Sequence, residues 1–100
     1  MKYNKLVRDK IPEIIKAKGD KAVTHFANDA EYWSKLKEKL GEEVEEFDAN
    51  ESVGELADIV EVVNAICKYK KINKKFFESI RKKKVAERGT FKKRIILEES

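Results

Sequence analysis

Ser52-Val53-Gly54-Glu55-Leu56-Ala57-Asp58-Ile59-Val60-Glu61-Val62-Val63-Asn64-Ala65-Ile66-Cys67 is the stretch whose reading decides the fold of this chain. Glu55, Asp58, Glu61 and Asn64 recur every third residue in an otherwise apolar run, which puts each polar side chain one helical turn from the next. Ser52 followed three residues later by Glu55 is a capping-box pattern and fixes the start of the helix. The pattern runs to about Tyr69. Apolar side chains on nearly every side leave little polar face, so this segment is expected to be the buried central helix.

Working outward, the polar stretch Asp48-Ala49-Asn50-Glu51-Ser52 reads as a turn. Before it, Trp33, Leu36, Leu40, Val44 and Phe47 recur at spacings of three and four, and Asn28 with Glu31 forms a capping signal. A helix from about Asp29 to Phe47 follows. Nearer the start, Arg8 to Ile15 reads as a short helix with Pro12 in its first turn and Gly19 as its stop. Residues 21–27 are ambiguous between a short strand and an extended link. Asn73 caps a fourth helix through Phe76, Phe77, Ile80 and Val85, which Gly89 ends. Ile95-Ile96-Leu97 is apolar and β-branched, as expected for a short extended tail packed on the helices. The fold class is therefore all-α, an antiparallel bundle of about four helices in a single domain spanning residues 1–100.

The turn brings four acids together. Glu43 and Asp58 are equidistant from a point between Asn50 and Glu51, and so are Glu46 and Glu55, so antiparallel helices set the two pairs face to face. Burying a carboxylate without a partner costs several kcal/mol, roughly. No Lys or Arg lies between Leu40 and Cys67 to offset that cost, although nine of the 19 acidic residues do. A divalent cation offsets it, and oxygen ligands select Mg²⁺, which takes a few carboxylates together with water and substrate phosphate oxygens. Zinc is disfavoured because His25 and Cys67 are the only residues of their types. A di-iron bundle is disfavoured because Glu-x-x-His pairs are absent. Two plainer readings compete: Glu55 as the third residue of a capping box, and Glu42, Glu43, Glu45 and Glu46 as a solvated helix face.

Composition sets the outer limits. The chain has 100 residues, 41% hydrophobic and 42% charged, with four Gly and one Pro, as in a helix-rich globular chain rather than a disordered one. That length is near the lower end of what folds alone, so a homodimer or larger homo-oligomer is expected. A single Cys67 forms no internal disulfide, and no apolar run is long enough for a signal peptide or a membrane span. A cytoplasmic protein with no membrane partner is expected. The net charge of +4 is segregated: 13 of the 23 basic residues follow Cys67. A basic final third raises nucleic acid as a partner, which the acidic centre and the lack of a known motif disfavour.

Glu42-Glu43-Val44-Glu45-Glu46-Phe47 and Gly54-Glu55-Leu56-Ala57-Asp58 resemble the E-E-x-x-E and E-x-x-D motifs of the MazG-like nucleotide pyrophosphohydrolases, the all-α NTP pyrophosphatase superfamily. Tyr3 to Pro12 and Arg88 to Leu97 look like the two ends of a branch labelled phosphoribosyl-ATP pyrophosphohydrolase-like. The resemblance implies Mg²⁺ ligands at Glu43, Glu46 and Asp58, with Glu55 a ligand or the residue that orients the attacking water, and Glu42 behind them. Eight residues separate Glu46 from Glu55, a shorter connection than in most of the family. It further implies hydrolysis of a nucleoside triphosphate to a monophosphate and pyrophosphate, as in nucleotide-pool housecleaning. Candidate phosphate-binding residues are Lys5, Arg8, Lys10 and Arg94, with Lys93 next to it. Tyr3, Tyr32, Trp33 and Phe91 are the candidates for stacking on a base, although Trp33 fits the apolar core stripe better. Two alternatives from other classes stand beside the enzyme: a non-catalytic helical interaction module and a basic nucleic-acid-binding protein.

Overall fold

A computed structural model describes residues 3–100. It is all-α, with four helices in chain order: α1 (Ile11–Ala17), α2 (Asp29–Ala49), α3 (Val53–Tyr69) and α4 (Lys74–Arg88). Each expected cap is in place. Asn28 accepts from the backbone N–H of Glu31 at 2.9 Å, Ser52 from Glu55 at 3.2 Å and Asn73 from Lys75 at 2.8 Å, which satisfies amides that a helix start leaves free. Among the described residues no strand forms, and no helix is long and apolar enough to cross a membrane. Residues 21–27 have no regular structure, and Val23 and Phe26 are exposed.

The ends of α1 and α3 show how the chain reverses. Below α1, the N–H of Gly19 donates to Lys16 and that of Asp20 to Ile15; below α3, Lys71 donates to Lys68 and Ile72 to Cys67. Both are the paired bonds of a Schellman stop, which needs a left-handed residue. Gly19 takes φ +84° without a steric penalty, whereas Lys71 adopts φ +57° with a Cβ in the way.

α2 and α3 form an antiparallel hairpin, the one helix pair in more than marginal contact among the described residues. Its core is small: Leu36 and Val62 are the buried apolar residues. At the open end Trp33 stacks on Tyr69, with ring centroids 5.5 Å apart, and Tyr32 meets Tyr69 edge-on at 5.4 Å. Tyr32 and Tyr69 are equidistant from the same centre as the acid pairs, so one register runs the length of the hairpin.

Two expectations are corrected here. α3 is not buried on all sides: Val53, Leu56 and Val60 are exposed, because α2 covers only one flank. Nor does the tail pack on the helices, since Phe91, Ile95, Ile96 and Leu97 are each more than three-quarters exposed. α4 and the tail form an arm that leaves the hairpin and lengthens the molecule to 54 Å, against 31 and 24 Å in the other directions.

Candidate metal centre

The hairpin turn brings the acids of α2 and α3 to one end, as the sequence spacing requires. Glu43, Glu55 and Asp58 each offer a carboxylate oxygen within 4.8 Å of the others. Glu46 falls in an adjoining triad with Glu42 and the shared Glu43. The four expected acids therefore divide into two overlapping groups, and Glu42, expected behind the cage, faces it. In an octahedral Mg²⁺ site adjacent ligand oxygens sit about 3 Å apart and opposite ones about 4.2 Å, so the three carboxylates would draw closer together around an ion.

Burial separates this triad from a solvated helix face. Glu43 is 5% exposed, and among the described residues neither its Oε2 nor the buried Oε2 of Glu55 has a hydrogen-bond partner. Ser52 accepts from the backbone N–H of Glu55, yet the Glu55 side chain does not return the bond to Ser52. Glu55 is therefore not explained by the capping box. An unpartnered buried acceptor costs about 1–3 kcal/mol, which a hard cation with oxygen ligands offsets. These residues fit magnesium.

The sequence pattern also concealed the bases around the acids. Lys39 lies one turn before the acid block, with its Nζ 3.1 Å from Glu43 and 3.4 Å from Glu42. Lys5 reaches Glu42 at 2.9 Å, and Arg8 reaches Asp58 at 2.7 Å. Charge compensation therefore arrives from residues outside the stretch that lacks bases, which corrects the expectation of unattended acids. Against Lys5, Arg8 and Lys39 stand Glu42, Glu43, Glu46, Glu55 and Asp58; five carboxylates against three cations leave an excess of two negative charges, the charge of one divalent ion.

Proton affinities follow from this layout. Glu43 beside it raises the carboxyl pKa of Glu46 above its ordinary value, with burial, Glu55 and Glu42 adding smaller effects. The hydrogen bond from Lys5 holds the Glu42 carboxyl below its ordinary value despite partial burial, and the same bond raises the Lys5 ammonium.

Lys5 and Arg8 thus reach the cage, where they pair with Glu42 and Asp58. Lys10 is exposed at the start of α1 and forms no ion pair among the described residues. Arg94 forms no ion pair with the cage acids among the described residues. It closes a turn at φ +61° beside a hollow lined by Thr90, Phe91, Lys93, Ile95 and Ile96. Of the aromatic candidates, Trp33 and Tyr32 sit ten or more residues along α2 from Glu43, about 15 Å of helix, and are half-buried with Tyr69 at the opposite end. Tyr3 lies near the cage, with Lys5 Nζ 5.8 Å from its ring centre. His25 pairs with Glu31 at 2.9 Å and takes no part.

Beside the cage, Val7, Arg8, Ile11, Lys39, Glu43 and Asp58 line a hollow of about 250 Å³. No family model matches the chain, and no solved structure matches it significantly. Over 44 residues the chain is 52% identical to an uncharacterised protein of Mycolicibacterium smegmatis, a stretch that covers 44% of this chain and 45% of that protein.

Proposed function

We propose that this chain is a Mg²⁺-dependent nucleotide pyrophosphohydrolase that cleaves a nucleoside triphosphate, or a related nucleotide, between its α and β phosphorus atoms. The observation that carries this reading is the Glu43, Glu55 and Asp58 triad, two of whose buried oxygens lack a partner among the described residues. Those three residues would hold the ion, with Glu46 beside them. Magnesium bound there supplies charge neutralisation for the phosphates and Lewis-acid activation.

The chain's own groups do the rest. Arg8 and Lys5 stand at the rim and exchange Asp58 and Glu42 for phosphate oxygens when substrate enters, and Tyr3 lies beside Lys5 as a stacking surface for the base. Glu46, whose proton affinity Glu43 raises, takes the proton of the attacking water. The water oxygen bonds to the α phosphorus as the bridging bond to the β phosphate breaks, and pyrophosphate leaves. The working unit is a homo-oligomer in the cytoplasm.

One observation favours a second reading, a helical module whose acid face docks a basic partner: Lys5, Arg8 and Lys39 already engage these carboxylates. A panel of nucleoside triphosphates with MgCl₂, assayed for pyrophosphate, separates the two. Turnover of at least one nucleotide is expected, and Glu43→Gln or Asp58→Asn should abolish it while helicity remains. If no nucleotide exceeds the protein-free control, the enzyme reading fails.

A further inference from the structure

Among the described bases of α2, Lys39 is the one that reaches the cage: Lys35 pairs with Glu38 at 3.3 Å, and Lys37 lies 5.2 Å from the centre of the Trp33 ring. The Nζ of Lys39 is 3.1 Å from Glu43 Oε1 and 3.4 Å from Glu42 Oε1. Its side chain, 18% exposed, lines the hollow together with Val7, Ile11 and Asp58. Helix stability does not account for the pair. A Lys four residues before a Glu is the weaker order on a helix, and the long side chain gives up rotamer freedom to be held there.

The pair divides the two oxygens of Glu43. Lys39 takes Oε1 and leaves Oε2 buried, with no partner among the described residues. Asp58 is treated in the same way, since Arg8 takes its Oδ1 at 2.7 Å. Two of the triad's three carboxylates therefore have one oxygen each to give, and Glu55 has no ion pair among the described residues. Hard divalent cations differ on this point. Calcium takes six to eight oxygens at about 2.3–2.6 Å and accepts a carboxylate through both of its oxygens, whereas magnesium holds to six at about 2.0–2.1 Å and keeps several waters among them. A carboxylate with one oxygen already held suits the smaller ion.

We propose that Lys39 sets the metal selectivity of the cage: by holding Glu43 Oε1 it keeps Glu43 a one-oxygen ligand, which favours Mg²⁺ over Ca²⁺. Lys39 is a positioning residue, acting on the ion through Glu43. The inference rests on the Mg²⁺ cage of the proposed function and not on the identity of the substrate. The charge of Lys39 opposes both divalent ions nearly equally, while its hold on Oε1 opposes Ca²⁺ more. The ratio of the two affinities therefore separates the hold from the charge.

Calorimetric titration of the full, nucleotide-free chain with MgCl₂ and with CaCl₂ reads that ratio. Lys39→Met removes the charge and the hydrogen bond at similar size; it is expected to shift the ratio of Kd values about tenfold toward Ca²⁺, the lower end of what partners of metal ligands contribute. Lys39→Arg keeps a cationic donor on Oε1 and should keep the wild-type ratio. An unchanged ratio in Lys39→Met, or the same shift in Lys39→Arg, overturns the proposal, as does a wild-type chain that binds neither ion. If Lys39→Met lacks helicity by circular dichroism with Mg²⁺ present, Lys39→Gln, too short to hold Oε1 as Lys does, is read in its place. Loss of the fold in both makes Lys39 a structural counter-ion and also overturns selectivity. The pyrophosphate panel decides the enzyme reading separately. A shifted ratio in a chain without turnover removes that reading and leaves the selectivity standing; turnover with an unshifted ratio does the reverse.

Discussion

At the scale of single residues, Glu55 and Glu46 give opposite tests of the cage. Glu55 holds a buried oxygen with no partner among the described residues, so Glu55→Gln removes a charge that no ion pair there engages. We expect that variant to melt no lower than wild type in EDTA. With Mg²⁺ at ten times its Kd, wild type should gain about 1.4 kcal/mol of stability and Glu55→Gln almost none. An equal gain in both would remove Glu55 from the ligand set. Glu46 speaks through pH. Its folded pKa is raised, so its contribution favours folding below the unfolded carboxylate pKa and is lost as pH rises through the folded value. Metal-free Glu46→Gln should therefore melt above wild type at pH 7, with the gap closing as the solution is acidified through that raised pKa. A gap independent of pH would mean that Glu43 does not repel it. Glu42 has the opposite sign: its pKa is lowered by Lys5, and its small contribution is present above the unfolded value and disappears as pH falls through the folded one.

At the scale of elements, the sequence made the helices legible wherever a side chain acts on its own neighbourhood. Asn28, Ser52 and Asn73 cap the helices expected of them, and the periodicity of Trp33 to Phe47 places α2 to within two residues of its end at Ala49. The stop of α3 was legible from the end of its apolar run at about Tyr69, although Lys71 fills the left-handed position that glycine fills at Gly19. That position carries a prediction. Lys71→Gly relieves the Cβ clash at φ +57° and should raise stability by about 1 kcal/mol, read in urea unfolding of the full chain. A loss of stability would show that the Lys71 side chain contributes more than its backbone costs. The site divides in the same way. Glu43, Glu55 and Asp58 were legible because helical spacing and a tight turn bring them together. Their ion partners Lys5 and Arg8 were not, since they meet Glu42 and Asp58 across 37 and 50 residues of chain that no periodicity connects.

At the scale of the whole molecule, periodicity identified α3 and the tail as apolar, and apolar they are; what it cannot carry is which surface covers them. Among the described residues of one chain, Leu36 and Val62 are the buried apolar ones. Burying an aliphatic side chain contributes about 1.5–3 kcal/mol, while ordering each residue costs about 1–2 kcal/mol, so a hairpin with so few buried apolar residues gains little from its own core. If a second copy covers these faces, folding and association are one equilibrium and stability depends on protein concentration. Each tenfold dilution should remove about 1.4 kcal/mol of apparent stability and lower the melting temperature by a few degrees. Calorimetry or circular dichroism across a hundredfold range of concentration reads this directly. A chain that folds alone would melt at one temperature throughout, and the exposed apolar faces would then have to be covered within a single copy. Salt sharpens the test. If opposite charges on hairpin and arm steer the pairing, raising the salt concentration should slow association more than it lowers the melting temperature, because screening weakens the approach of the charges while the apolar contact persists.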